Sequence, residues 1–278
     1  MTARCNGRSG YASDLTDDQW ATIEPLLPPE VGGGRHRSVN LRKVINAIFY
    51  RLRTGCAWHL LPNDLPPKST VYEYYSAWRD SGTLERVHDM LRETLREREG
   101  RHAQASAGSV DSQSVKTTET PGQRGYDAGK KVKGRKRHIL VDTMGLLIAV
   151  VVTGADVQDR DGAKEVFRKA KQVERLQRIW ADSAYAGQLV EWTRENFGWE
   201  LDIVRRTEGS KGFILLPKRW VVERTFGWLG RYRLMSKDYE AQETSSEADV
   251  RLAMIHVMVR RLAPPAVPEN EHLFTQAV

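Results

Sequence analysis

Apolar residues return at helical spacing through the first third of the chain, then gather into short runs separated by helical stretches. Thr16-Asp17-Asp18-Gln19 matches a capping box. It predicts a short helix with Trp20, Ile23, Leu26 and Leu27 on one side, stopped at Pro28-Pro29. A Gly-rich basic loop follows, from Gly32 to Arg37. Leu41, Val44, Ile45, Ile48, Phe49 and Leu52 then recur as one helical face, so 39–54 reads as a second helix with Gly55 as its stop. Pro62, Pro66 and Pro67 break the next stretch. Thr70-Val71-Tyr72-Glu73 is another capping-box match and predicts a helix through Trp78 that ends near Gly82. Thr83 caps a fourth, with Leu84, Val87, Leu91 and Leu95 inward. After a flexible 1–13, residues 14–96 are thus expected to form a small all-α, helix-turn-helix-like domain for DNA binding or dimerisation.

Residues 97–108 carry no hydrophobic period and read as a linker. The texture then changes. A strand is expected over 109–115, a hairpin of 137–142 and 146–152 around Met144-Gly145, and a helix over 164–171. A strand over 177–181, a helix over 189–197, a strand over 201–205 and helices over 220–232 and 247–262 follow. Early strands followed by alternation predict an α/β domain over 109–263, a mixed sheet flanked by helices. Residues 264–278 hold three prolines and read as a loose tail.

Charge adds a partner to this picture. Lys and Arg number 43 against 36 Asp and Glu, a net +7 over 278 residues, which favours a polyanion. The two cysteines, Cys5 and Cys56, build neither a disulfide framework nor a zinc site, as in a reducing cytosol. No signal-peptide pattern opens the chain, and its longest apolar run, 146–152, is too short to span a bilayer. A cytoplasmic, nucleoid-associated protein with no membrane partner is the expectation.

Three carboxylates stand out against the basic background. Asp111 and Asp182 end apolar runs that read as strands, and Glu223 lies in an aromatic-rich helical pattern. Phosphoryl transfer on DNA needs divalent ions held by oxygen ligands that converge from rigid elements. Asp111 and Asp182 are 71 positions apart and Asp182 and Glu223 are 41, so only a fold can bring them together. Other acids have simpler readings: Asp142 as a turn residue, Asp156 in a loop, and Asp161 as a helix N-cap. Asp159 leaves the same sheet and stays a residue of interest. Arg219 shares the face of Glu223 at i−4, and Arg219, Arg224, Arg231 and Arg233 are expected to ring that carboxylate. Gly227 and Gly230 would let a backbone approach closely. Between the strand of Asp111 and the next, Arg124, Lys130, Lys131, Lys133, Arg135, Lys136 and Arg137 face one acid, Asp127. They read as a flexible phosphate-contacting segment with strongly salt-dependent binding. Tyr72, Tyr75 or Arg79 is the expectation for reaching a DNA groove, while others of the Tyr72, Tyr74, Tyr75 and Trp78 group must be core.

With these residues assembled, the chain resembles the IS5-family insertion-sequence transposases, of the group with an RNase H-like DDE domain. The strings that carry the resemblance are WATIEPLLP from Trp20, GYDAGKKVKGRKRHILVDTMG from Gly125, ADSAYAG from Ala181 and RWVVERTFGWL from Arg219. The resemblance implies an RNase H-like mixed sheet and a catalytic triad of Asp111, Asp182 and Glu223. Asp111 would bridge two Mg²⁺ ions, for which Mn²⁺ substitutes, and Asp182 and Glu223 would hold one each. Of the tyrosine-arginine-glutamate-lysine signature in related transposases, Arg219 and Glu223 are kept. Leu216 and Gly230 stand at the other two positions, with Arg231 in place of the lysine. The short span from Asp182 to Glu223 leaves no room for the large β-domain inserted in some relatives. The implied activity is cleavage of double-stranded DNA at terminal inverted repeats and joining of the 3′-hydroxyls to target DNA, by a homodimer or higher multimer. Two rivals remain at this point: an RNase H-like nuclease that cuts without joining, and a non-catalytic DNA-binding derivative of a transposase.

Overall fold

The computed structural model describes residues 10–30, 37–119, 122–204 and 218–265. The expectations for 1–9, Gly32 to His36, Arg205, Leu216 and 266–278 lie outside the described residues.

Helix α1 (Asp17–Ile23) opens with the expected capping box: Gln19 N–H donates to the Thr16 hydroxyl at 3.3 Å, and Thr16 N–H to the Gln19 side chain at 3.1 Å. Helix α2 (Leu41–Thr54) is capped by Asn40, whose side chain accepts from Lys43 N–H at 3.1 Å. It ends at Gly55, whose φ of 71° a side chain would strain. Helix α3 (Lys68–Asp80) begins before the Thr70 box, directly after Pro67, and α4 (Thr83–Arg98) begins at Thr83 with Gly82 as its cap.

The sheet is built from β1 (Ala107–Lys116), β2 (Gly125–Asp127), β3 (Val132–Asp142), β4 (Leu147–Gly154), β5 (Arg178–Ala181) and β6 (Glu200–Ile203). Its order is β4-β3-β1-β5-β6: β1, β3 and β4 pair antiparallel, then β5 and β6 run parallel to β1. The short β2, which the hydropathy pattern misses, also pairs with β3. This is the RNase H-like mixed sheet that the resemblance implies. Helices α5 (Asp159–Ala170) and α6 (Gln188–Phe197) connect the later strands, and α7 (Trp220–Leu229) and α8 (Glu243–Leu262) close the fold. Asp161 lies inside the first turn of α5 rather than capping it.

Alternation along β3 and β4 feeds two cores, one on each face. Leu140, Ile148 and Val151 pack with α5, α6, β5 and β6. Ile139, Val141, Val150 and Val152 face the other way, towards α7 and α8. Leu15, Ile48, Val71 and Leu91 of the N-terminal helices belong to that same core. The helical region expected over 14–96 is therefore present, but it does not have a core of its own. The expected linker contributes to α4 and β1 at its two ends and connects elements that share one interior.

Buried charge holds this seam. Arg51 of α2 meets Asp249 of α8 at 3.3 Å, and the Tyr75 hydroxyl donates to Asp249 at 3.0 Å. Tyr75 is thus interior, not a groove reader, and Arg79 donates to Ser245 at 2.7 Å and pairs with Asp80. Tyr72 stays exposed. Arg96 of α4 pairs with Asp142, which also accepts the N–H groups of Met144 and Leu146 at 2.8 and 2.9 Å. Among the described residues, no helix is long and apolar enough to cross a membrane.

The Arg96–Asp142 pair is fully interior, so removing one partner strands a charge. Arg96→Ala is expected to lower unfolding stability by about 3–5 kcal/mol. Urea titration followed by tryptophan fluorescence reads this; a loss below roughly 1 kcal/mol would mean that water reaches Asp142.

Candidate active site

Strands β1 and β5 run parallel, and their register sets the centre of the site. Gly108 stands opposite Ile179, and Ser109 opposite Trp180. Asp111 and Asp182 each follow two residues later, so equal spacing brings the two carboxylates side by side. Asp111 is not at a strand end: β1 continues to Lys116, paired with β3 alone. Strand β5 stops at Ala181, and Asp182 caps the short 3-10 turn that follows, accepting from Ala184 N–H at 2.8 Å.

Glu223 comes from the first turn of α7. Arg219, at the start of that helix, places one guanidinium nitrogen among all three acids. It lies 3.5 Å from Asp111, 3.5 Å from Asp182 and 3.8 Å from Glu223. Side-chain exposure rises from 19% at Asp111 to 31% at Asp182 and 47% at Glu223, so loss of water falls hardest on Asp111. Burial pushes the Asp111 carboxyl up to about 6, opposed by the Ser112 N–H and by Arg219, and reinforced by Asp182.

A second polar group lies alongside, and sequence reasoning passed over most of it. The Ser112 hydroxyl donates to Asp159 at 2.8 Å, and Lys136 bridges Asp159 at 3.0 Å and Asp127 at 3.4 Å. Ser114 donates to Asp127 at 2.6 Å. Burial would raise both acids. The Ser112 hydroxyl and Lys136 outweigh it at Asp159, whose carboxyl is lowered, and Ser114, Lys130 N–H and Lys136 hold Asp127 at about 2. The signal was the alternation of Ser112 and Ser114 along β1, since both fall on the face opposite Asp111. Beneath them, α5 approaches β3 closely because Gly162 has no side chain; a Cβ there would come within 2.2 Å of the His138 ring. Tyr185 is buried in this region. Burial, then Asp111, Asp159 and Asp182, push its phenol well above the ordinary value, which keeps it neutral.

The basic residues divide. Arg124, Lys130, Lys131 and Lys133 are exposed. Lys130 reaches back to the site, its Nζ donating to the Ser112 carbonyl at 3.0 Å and hydroxyl at 3.2 Å. Arg135, Lys136 and Arg137 are buried inside β3, contrary to the flexible segment expected. Arg135 pairs with Asp238 at 3.1 Å, and Arg137 donates to the Met235 carbonyl at 2.8 Å. These three are interior because β3 starts at Val132, so their side chains follow the pleat instead of a loop. Nor do four arginines ring Glu223. Among the described residues Arg219 alone pairs with it, Arg224 donates to the Met144 carbonyl at 2.9 Å, and Arg231 and Arg233 are exposed beyond the helix end.

Three carboxylates with no nitrogen or sulfur donor make a set suited to hard divalent cations such as Mg²⁺ or Mn²⁺. Among the described residues they do not close into a metal cage by themselves. The Arg219 guanidinium occupies the middle and supplies the positive charge that such a cluster requires.

A family profile described as "Transposase DDE domain" matches residues 102–258, more than half of the chain. A second, "Putative transposase of IS4/5 family", matches residues 15–88. The "Insertion element IS402 uncharacterized 16.2 kDa protein" of Burkholderia cepacia is 32% identical over 109 residues, 37% of this chain and 72% of that protein. The "Putative transposase for insertion sequence element IS402" of the same organism is 30% identical over 128 residues, 43% of this chain and 60% of that protein. A solved structure, the Mos1 mariner paired end complex with Mn, is 12% identical with a TM-score of 0.31, covering 85% of this chain and 80% of that one. With the DDE profile spanning the sheet, α5, α6, α7 and nearly all of α8, the chain belongs to the DDE transposases of the IS4/5 insertion-sequence type.

Proposed function

We propose that this chain is a DNA transposase that cleaves element ends at terminal inverted repeats and joins the exposed 3′-hydroxyls to target DNA. The observation that supports this most directly is the convergence of Asp111, Asp182 and Glu223 on one nitrogen of Arg219, in a chain of the DDE family. Asp111, Asp182 and Glu223 are the residues that would hold two Mg²⁺ ions, or Mn²⁺ in their place. When bound, such a pair supplies Lewis-acid stabilisation of the attacking and leaving oxygens of an in-line displacement.

The remaining parts are this chain's own. Asp111 must be ionised to serve as a ligand, and its raised pKa makes that the group whose protonation limits the site at low pH. Arg219 holds the acids together in the absence of other cations, and its planar fork suits a phosphate oxygen once the carboxylates have other partners. Arg124, Lys130, Lys131 and Lys133 lie exposed on the β2–β3 side of the sheet, where phosphate contact would hold the DNA duplex against β1. Joining two element ends requires at least two active sites, hence a dimer or higher multimer on DNA.

Two outcomes test this. Asp182→Ala should abolish Mg²⁺-dependent cleavage and joining of a labelled inverted-repeat DNA while leaving DNA binding within a few-fold of wild type. Cleavage without joining by the wild type would favour the nuclease reading, and binding with neither would favour the non-catalytic one. At a fixed, sub-saturating Mg²⁺ concentration cleavage should also decline as pH falls, because protons compete with the metal for Asp111, whose carboxyl burial raises. The same shift has a stability sign. A carboxyl raised from 3.8 to about 6 in the folded state is a penalty that is absent below pH 3.8 and complete above 6. Without divalent ions, Asp111→Asn should therefore stabilise the protein at pH 7–8 by about 1–3 kcal/mol, with the gain vanishing near pH 4. Urea unfolding at the two pH values reads it.

A further inference from the structure

Helix α7 has a second functional face. Trp220, Arg224 and Trp228 recur at every fourth position and form one stripe, adjacent to the stripe of Glu223. The Arg224 guanidinium lies 4.4 Å from the Trp220 ring and 4.8 Å from that of Trp228. This stripe leads into a cleft of about 530 Å³ between α2, α7 and α8. Arg53, Trp228, Arg231, His256, Arg260 and Arg261 line it, and among the described residues no carboxylate does. Arg53, Arg231 and Arg260 make no salt bridge with any described residue, and Arg261 has Glu99 at 3.9 Å.

An arginine in the last turn of a helix is favoured by the backbone dipole alone, and that accounts for Arg53, Arg260 and Arg261 taken singly. It does not account for four guanidinium groups from three parts of the chain around one concavity, which repel one another unless an anion sits between them. Nor does it account for His256. That ring is buried, stacked 4.4 Å from Phe49, and its Nδ1 meets the Tyr232 hydroxyl at 3.2 Å. Its Nε2 has no hydrogen-bond partner. Burial, then Arg260 and Arg53, hold the imidazole down to about 3, so it is neutral. Assigning Tyr232 as the donor to Nδ1 puts the proton on Nε2, a buried donor without a partner beside a cationic cleft.

We propose that this cleft is a second DNA-backbone site, in which Arg53, Arg231, Arg260 and Arg261 bind phosphodiester oxygens of the DNA held at the triad. The proposal rests on the DNA-transposase reading. A DNA strand fits better than a single free phosphate for two reasons. Trp228 lies five residues beyond Glu223 on one rigid helix, about 7.5 Å along its axis, so the triad and the cleft are both built on α7. The aromatic floor beside the arginines also offers sugars and bases a packing surface, as single-strand grooves do.

The test uses the full chain and a labelled inverted-repeat DNA, with binding followed by fluorescence anisotropy across a salt titration. Arg53→Gln/Arg260→Gln should weaken binding by roughly tenfold and reduce the slope of log K against log salt by about 1–2. Arg53→Lys/Arg260→Lys should keep the slope. If the double glutamine variant does not fold, Arg260→Gln alone should lower the slope by about 1. An unchanged slope in a folded glutamine variant, with wild type binding normally, overturns the cleft and leaves the DNA reading standing. No DNA binding by wild type overturns both. Two further outcomes also sink the proposal: loss of self-association without change in DNA affinity, which would make the cleft an interface between copies, and inorganic phosphate raising the wild-type melting temperature while the DNA slope stays unchanged in the variant.

Discussion

Two like charges stand side by side at the centre of the site, and the site depends on what keeps them there. The parallel pairing of β1 with β5 places Ser109 opposite Trp180, and Asp111 and Asp182 follow at equal spacing. Side-by-side carboxylates repel, and burial of one adds to the cost. The fold meets this in two ways. Strand β5 ends before Asp182, which leaves that acid in a turn with partial access to water, and α7 brings Arg219 to within 3.5 Å of both. A one-residue slip in the β1–β5 register would turn one of the aspartates to the opposite face and dissolve the cluster.

The rest of the architecture holds that register rigid. Helix α8 lies between the N-terminal helices and the sheet, burying Met254, Ile255 and Val259 together with the charged Asp249. Its partners Arg51 and Tyr75 come from α2 and α3, and Arg96 of α4 reaches the turn between β3 and β4 through Asp142. Buried ion pairs of this kind add little net stability, but they admit few alternative arrangements, since each unpartnered charge would cost several kcal/mol. The helices that precede the sheet are therefore part of the scaffold behind the active site and are not a separately hinged arm.

Much of the organisation was legible in residue patterns. The helical period marked α1 to α4, the Thr16 capping box formed as written, and the strand-helix alternation after residue 108 pointed to a mixed sheet. Motif strings pointed to Asp111, Asp182 and Glu223 as a group, and the fold gathers them around one guanidinium. The misreadings have a common cause. Arg135, Lys136 and Arg137 read from the sequence as part of a flexible phosphate-contacting run, because dense charge suggests exposure. Yet a strand buries every residue of a central segment when helices cover both of its faces, and each of these cations found a buried acceptor.

The sequence by itself determined the local elements, because capping chemistry, glycine turns and hydrophobic period act over a few residues. It determined the family too, since long motif strings survive without knowledge of contacts. Only the tertiary structure decided which charges are interior, that Arg219 and not a ring of arginines serves Glu223, and that the N-terminal helices share a core with the sheet. Those outcomes turn on pairings between residues as far apart as Arg51 and Asp249, whose energy depends on the distance and burial that folding creates and that no local pattern encodes.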